Sequence, residues 1–195
     1  MRQNPIVDYL MERRTLLLEG PINERMLKDL RNRMLHLEQQ DPAQAITINI
    51  DCGGGETFPS LHFCDFIEFQ LKVPVHGVVT GLCGSSATFI LLHCVERSGF
   101  PHSRFLIHSS EMGGVALKTN PASRTIREQL NADLEATHEQ VTQMYMRKLK
   151  LSREEVESLT QRGEQAFNAE MWAPEALKIG LIQKIVVKEE SNTSS

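Results

Sequence analysis

Residues 78–94 read VVTGLCGSSATFILLHC. An apolar run climbs to Thr80, meets Gly81-Leu82-Cys83-Gly84, offers two adjacent hydroxyls at Ser85 and Ser86, and turns apolar again. This is the pattern of a strand that stops, bends through small residues and enters a buried helix. A serine at a helix start has an ordinary use, because its oxygen accepts from the free N–H groups of the first turn. It has a second use as a nucleophile, held where the helix dipole favours developing negative charge. The two uses are distinguished by what stands at the neighbouring strand ends.

Upstream, Thr15-Leu16-Leu17-Leu18 is a short strand closed by Glu19-Gly20-Pro21. Leu27, Leu30, Met34 and Leu37 recur at helical spacing over residues 24–40, and Asp41-Pro42 ends the run. Ile46, Ile48 and Ile50 alternate along a strand that runs into Gly53-Gly54-Gly55. A helix carrying Phe63, Phe66 and Ile67 follows, and residues 73–79 form the next strand. Downstream of the opening stretch, Arg104-Phe105-Leu106-Ile107 is a strand that ends at His108. Strands alternating with helices predict an α/β fold with parallel βαβ units, whose clefts lie at the carboxyl ends of the strands. The glycine run, Ser85 and His108 all fall at such ends.

Residues 123–150 change pattern. Ile126, Leu130, Leu134, Val141, Tyr145 and Leu149 lie along one face of a long amphipathic helix, which reads equally as a helix projecting beyond the core with a role in assembly and as a solvated helix packed on the sheet. A capping box, Ser152-Arg153-Glu154-Glu155, opens a helix over residues 152–162. Ala173-Pro174-Glu175-Ala176-Leu177 and a strand over residues 181–187 close the domain, which spans residues 1–187. The polar tail, 188–195, is expected to be disordered.

Composition narrows the function classes. With 195 residues, 41% apolar and 24% charged, and a net charge of −4, the chain is an ordinary globular domain. No basic excess points to nucleic acid, and no apolar run approaches the roughly 18 residues of a membrane span. The start, MRQNPIVDYLMERR, has no secretory pattern, so a cytoplasmic location is expected. Cys52, Cys64, Cys83 and Cys94 form no C-x-x-C pair and read as reduced, buried residues; the seven histidines form no metal cluster.

Acyl transfer needs a nucleophile, a base, a group that orients the base, and N–H donors for the oxyanion. Ser85 and His108 suit the first two roles, and the Asp51-Cys52-Gly53-Gly54-Gly55 turn exposes backbone N–H groups for the last. Taken singly, the glycines are a tight turn and His108 a core histidine. No G-x-x-x-x-G-K-[ST] or G-x-G-x-x-G completes a phosphate loop.

In these segments the chain resembles the ClpP family, the proteolytic subunit of the Clp proteases. Leu16-Leu17-Leu18-Glu19-Gly20-Pro21-Ile22 is similar to the family's first strand and turn, and Leu35-His36-Leu37-Glu38-Gln39-Gln40-Asp41-Pro42 to its helix end. Ile48-Asn49-Ile50-Asp51-Cys52-Gly53-Gly54-Gly55 stands where the family has I-N-S-P-G-G, and residues 81–85 match its G-Q-A-A-S nucleophile turn. Ser103-Arg104-Phe105-Leu106-Ile107-His108 matches the strand ending in its histidine, and residues 173–182 its closing helix and turn.

The resemblance implies a Clp/crotonase-like ββα spiral with a projecting handle helix. It implies Ser85 rather than Ser86 as nucleophile, His108 as base, and the N–H groups of Gly55 and Ser86 as the oxyanion hole. Counted back from Ala173, the family's aspartate falls on Asn168, with Glu164 and Glu170 as nearby carboxylates. No metal or organic cofactor is implied. The implied partners are a peptide or unfolded protein substrate, other copies of the chain in a homo-oligomeric ring, and an AAA+ unfoldase.

Several departures matter. Gly53 replaces the family's proline, Gly84-Ser85-Ser86-Ala87 replaces A-S-M-G, and few residues precede the first strand where the family has an axial loop. These changes keep a second reading open, a catalytically weak or inactive ring subunit. A third is a crotonase-type acyl-CoA enzyme, against which the Ser85 and His108 pair stands. A lipase-like hydrolase fits less well, since residues 83–87 read C-G-S-S-A and not G-x-S-x-G.

Overall fold

The computed structural model describes residues 5–108, 121–165 and 170–188. The chain forms two compact units, residues 1–106 with 170–195 and residues 107–169. The first begins with α1 (Pro5–Glu12), β1 (Thr15–Glu19), α2 (Glu24–Gln40), β2 (Ile46–Cys52) and α3 (Thr57–Asp65), the last continued by a π-helical turn at Phe66–Gln70. It goes on through β3 (Val75–Gly84), α4 (Ser86–Leu92), β4 (Glu96–Gly99) and β5 (Arg104–Leu106). The second unit holds α5 (Pro121–Leu149) and α6 (Arg153–Gln165). The chain returns to the first unit with β6 (Met171–Trp172), α7 (Ala173–Lys178) and β7 (Lys184–Ile185).

The local reasons for these elements are legible. In α2 the buried residues are Leu27, Leu30, Met34 and Leu37, spaced to form one face, and the Asn23 side chain accepts from Met26 N at 2.9 Å to cap its start. In β2 the buried residues alternate, Ile46, Ile48, Ile50 and Cys52, as a period of two requires. The strands pair in the order β1-β2-β3-β4-β7, all parallel. β5 joins the far half of β3 in parallel, and β6 runs antiparallel to β5. This is the parallel α/β arrangement expected.

Two strand boundaries differ from expectation, and one strand was not expected. β3 does not stop near Val79 but runs through Gly81-Leu82-Cys83-Gly84, because its first half pairs with β4 and its second with β5. The closing strand is confined to Lys184–Ile185; Leu181 and Ile182 are buried in the turn after α7, where both N–H groups donate to Ala176 O. β4, Glu-Arg-Ser-Gly, shows no apolar alternation. It is kept in the sheet by ladder bonds and by Arg97, whose guanidinium donates to the carbonyls of Leu181, Cys94 and Gly180. No helix among the described residues is long and apolar enough to cross a membrane.

In the second unit, α5 runs for 29 residues, about 43 Å at ~1.5 Å per residue, close to the expected 123–150. Val141, Tyr145 and Leu149 of the expected face are buried and Leu134 is half-buried. The side chains of Ile126 and Leu130 lie outside the described residues. Across α5 and α6, Arg153 grips the Glu139 carboxylate with both terminal nitrogens, at 2.6 and 3.0 Å, and holds its pKa down at about 2, with Gln143 assisting. The capping box forms as expected: Ser152 N donates to Glu155 Oε2 at 2.7 Å, and Glu155 N to Ser152 Oγ at 3.3 Å. The tail from 189 onward lies outside the described residues.

Candidate active site

The glycine turn after β2 is held from both sides. Gly54 has a φ of +104°, a conformation L side chains rarely adopt, and its N–H donates to Cys52 Sγ at 3.4 Å. Ile22 N donates to Gly54 O at 2.9 Å and Glu56 N to Ile22 O at 3.0 Å, so the turn is stitched to the segment after β1. A Cβ on Gly55 would overlap the Ile22 backbone.

Opposite the turn, β3 gives way to α4 at Ser85, whose φ of 50° and ψ of −129° are unusual for a side-chain-bearing residue. Arg14 and Lys150 are also at positive φ among the described non-glycine residues, but both follow helices, where a left-handed residue ends the last turn. Ser85 precedes a helix, so no C-cap demands its conformation. Its backbone is pinned instead. Ser85 N donates to Leu106 O at 2.8 Å, and its carbonyl accepts from Thr88 N at 2.9 Å and Thr88 Oγ1 at 2.6 Å. The side chain is half-exposed and makes no capping hydrogen bond.

Gly54 makes this approach feasible. A Cβ there would stand 2.6 Å from Ser85 Cβ and 2.7 Å from Gly84 O. Gly54→Ala is therefore expected to cost about 3–5 kcal/mol, combining backbone strain with overpacking. Gly20→Ala is the control: φ is +79° but nothing lies within 4 Å, so only strain of about 1 kcal/mol is expected. Thermal unfolding of the two variants checks the difference, and equal losses would mean that Gly54 is needed only for its φ.

Ser86 is the opposite of Ser85. It is fully buried, and its Oγ accepts from Gly55 N at 2.9 Å and donates to Gly55 O at 3.3 Å. Ser85, Ser86 and Gly55 thus stand together in the first unit. His108 is half-buried and belongs to the second unit, two residues along the chain from Leu106, whose carbonyl holds Ser85. Asn168 lies outside the described residues. Glu164 is on α6, and its side chain also lies outside them. Glu170 is engaged by Arg104, with Nη1 to Oε2 at 2.7 Å, just where β5 meets β6.

The four cysteines are buried and none forms a disulfide. Burial pushes the Cys52 and Cys83 thiols up and the Cys94 thiol to about 12, so all three stay protonated near neutral pH and make poor nucleophiles. No group of three metal-ligating side chains occurs among the described residues.

Residue reading overlooked Thr88, whose signal was only a hydroxyl three positions into α4. It also overlooked His93 at the far end of that helix. There a buried imidazole places Nε2 3.2 Å from Glu68 Oε2 and Nδ1 2.7 Å from Phe89 O, the setting of a structural histidine.

Comparison with known proteins identifies the family. A family model described as Clp protease matches residues 1–189. The chain is 27% identical over 188 residues to ATP-dependent Clp protease proteolytic subunit 1 of Chlamydia trachomatis serovar D, covering 94% of this chain and 92% of that protein. It is 30% identical over 128 residues to the ATP-dependent Clp protease proteolytic subunit of Bacteroides thetaiotaomicron, covering 65% of this chain and 57% of that protein. Against the subunit of the same name from Deinococcus radiodurans it is 28% identical over 114 residues, 57% of this chain and 55% of that one.

Proposed function

The chain belongs to the Clp protease family, and on that premise we propose that it is a ClpP-like serine endopeptidase that cleaves unfolded polypeptides. The observation that carries this reading is Ser85. Its hydroxyl is spared from capping, while both of its backbone groups are pinned in a positive-φ elbow beside a glycine turn. Such an elbow spends stability on presenting one side chain.

The proposed chemistry follows from the roles. Ser85 Oγ attacks the peptide carbonyl carbon while His108 takes the hydroxyl proton, and the carbonyl oxygen becomes an oxyanion facing the N–H groups of Gly55 and Ser86. The C–N bond then breaks as His108 returns the proton to the leaving amine, leaving an ester on Ser85. Water, deprotonated by His108, hydrolyses that ester and restores the serine. Asn168, accepting the His108 Nδ1 proton through its side-chain carbonyl, keeps Nε2 free to act as the base.

We assign this work to one peptidase domain over residues 1–187, with α5 as its handle. We also assign it to a homo-oligomeric ring supplied by an ATP-dependent unfoldase, a reading supported by relatives named ATP-dependent Clp protease proteolytic subunits. Four buried cysteines outside any disulfide suit a reducing compartment, and we place the protein in the cytoplasm.

A serine-directed fluorophosphonate tests the reading. Label is expected on Ser85 of the wild-type protein, mapped by mass spectrometry of the modified peptide. Label on Ser86 would show that the nucleophile is misassigned, and a folded, assembled protein that takes up none would instead be a non-hydrolytic ring subunit.

A further inference from the structure

We propose that the Ser86 hydroxyl is a resting-state latch on the oxyanion hole, a device that rests on the peptidase reading above and adds a built-in brake to it. An amide has one hydrogen to donate. In this structure Gly55 donates it to Ser86 Oγ at 2.9 Å, and the same hydroxyl donates back to Gly55 O at 3.3 Å. One side chain therefore occupies both backbone groups of the residue assigned to hold the oxyanion.

The bond is not a helix cap. Ser86 is the first residue inside α4 rather than the residue before it, and its oxygen serves a glycine 31 positions away instead of an N–H of its own helix. Nor is it exchanged with solvent, because Ser86 is fully buried. The glycine is also locked in place, since a Cβ on it would overlap Ile22 and the flanking residues Gly54 and Glu56 are both bonded to Ile22. With the turn held and the hydroxyl dry, rotation of the Ser86 side chain is the simplest motion that frees the Gly55 N–H. The Ser86 N–H is in a different position. It is in the first turn of α4, where a Cβ on Gly54 would come within 3.1 Å of it. Of the two assigned donors, it is the Gly55 N–H that a side chain occupies.

Turnover then includes the cost of exchanging the hydroxyl for the substrate oxyanion, a change felt in the transition state and not in ground-state binding. The size is set by one neutral hydrogen bond, about three- to tenfold in rate.

Full-length wild-type, Ser86→Ala and Ser86→Cys proteins decide the matter through three readings: fluorophosphonate labelling rate at Ser85, kcat and KM on a short fluorogenic peptide, and amide hydrogen exchange at Gly55. Ser86→Ala should label and turn over three- to tenfold faster with KM unchanged, and its Gly55 amide should exchange faster. Ser86→Cys, whose thiol is a weak acceptor, should move the same way by less, and it decides alone if the alanine variant does not fold. An unchanged or lower kcat with Ser85 still labelled overturns the latch and leaves the peptidase reading standing, since the hydroxyl would then be supporting the turn. Absence of label on Ser85 in all three proteins overturns the peptidase reading, and the latch with it.

Discussion

Ser85→Ala is expected to slow hydrolysis of a short fluorogenic peptide by only about 10²-fold, although it removes the proposed attacking oxygen outright. The expectation comes from how a triad shares its work. In a serine protease with a complete triad, loss of the serine costs about 10⁶ in kcat, and loss of the buried aspartate alone costs about 10⁴. The members act as one unit, so the penalties do not multiply. On the proposed assignment of Asn168, the chain has an amide where the aspartate would stand and has forgone most of the advantage, so about 10² is left for the serine to lose. Initial rates on matched preparations of wild type and Ser85→Ala measure it. A loss near 10⁶ would show that a carboxylate orients His108 after all, and a loss of less than about twofold would remove Ser85 from the mechanism.

The elements that carry this argument differ in how plainly the sequence announces them. β2 and α2 are written in the spacing of their own apolar residues, and the structure begins α2 at the predicted Glu24 and ends it at Gln40. The elbow is legible as small residues ahead of a greasy helix, yet reading those glycines as a break misplaced the end of β3. In a strand, a glycine marks either a stop or a close approach of another backbone. Which it is depends on β5 and the Gly53–Gly55 turn, both far away in sequence. β4 is hidden for another reason. Its stability lies in ladder bonds and in carbonyls gathered by Arg97, none of which appears as hydrophobic alternation. Least legible is the bond between Ser86 and Gly55, because two adjacent serines look alike until the fold buries one and leaves the other half-exposed.

Asn168→Asp is expected to raise kcat by about 10²- to 10⁴-fold, the reverse of what the opposite exchange does to a complete triad. In the proposed assignment, the amide oxygen at 168 accepts the His108 Nδ1 proton and so selects the tautomer, but an amide carries no charge to offset the imidazolium that would form as Ser85 attacks. A carboxylate supplies that charge in the transition state, where it lowers the barrier, and adds little to substrate binding. The gain should therefore appear in kcat with KM nearly constant. Glu170→Gln should change little, because the Glu170 carboxylate is already held by Arg104 at 2.7 Å. Glu164→Gln should likewise leave the rate near that of the wild type. If a glutamate is the true third member, the pattern reverses, with one Glu→Gln variant losing most of its turnover while Asn168→Asp does nothing. The two substitutions discussed also form a cycle that checks itself. In the Asn168→Asp background the serine has regained its partner, so Ser85→Ala should now cost about 10⁶ where it cost about 10² before. Equal costs in both backgrounds would mean that residue 168 does not act through His108 and Ser85, and the assignment of Asn168 would fall.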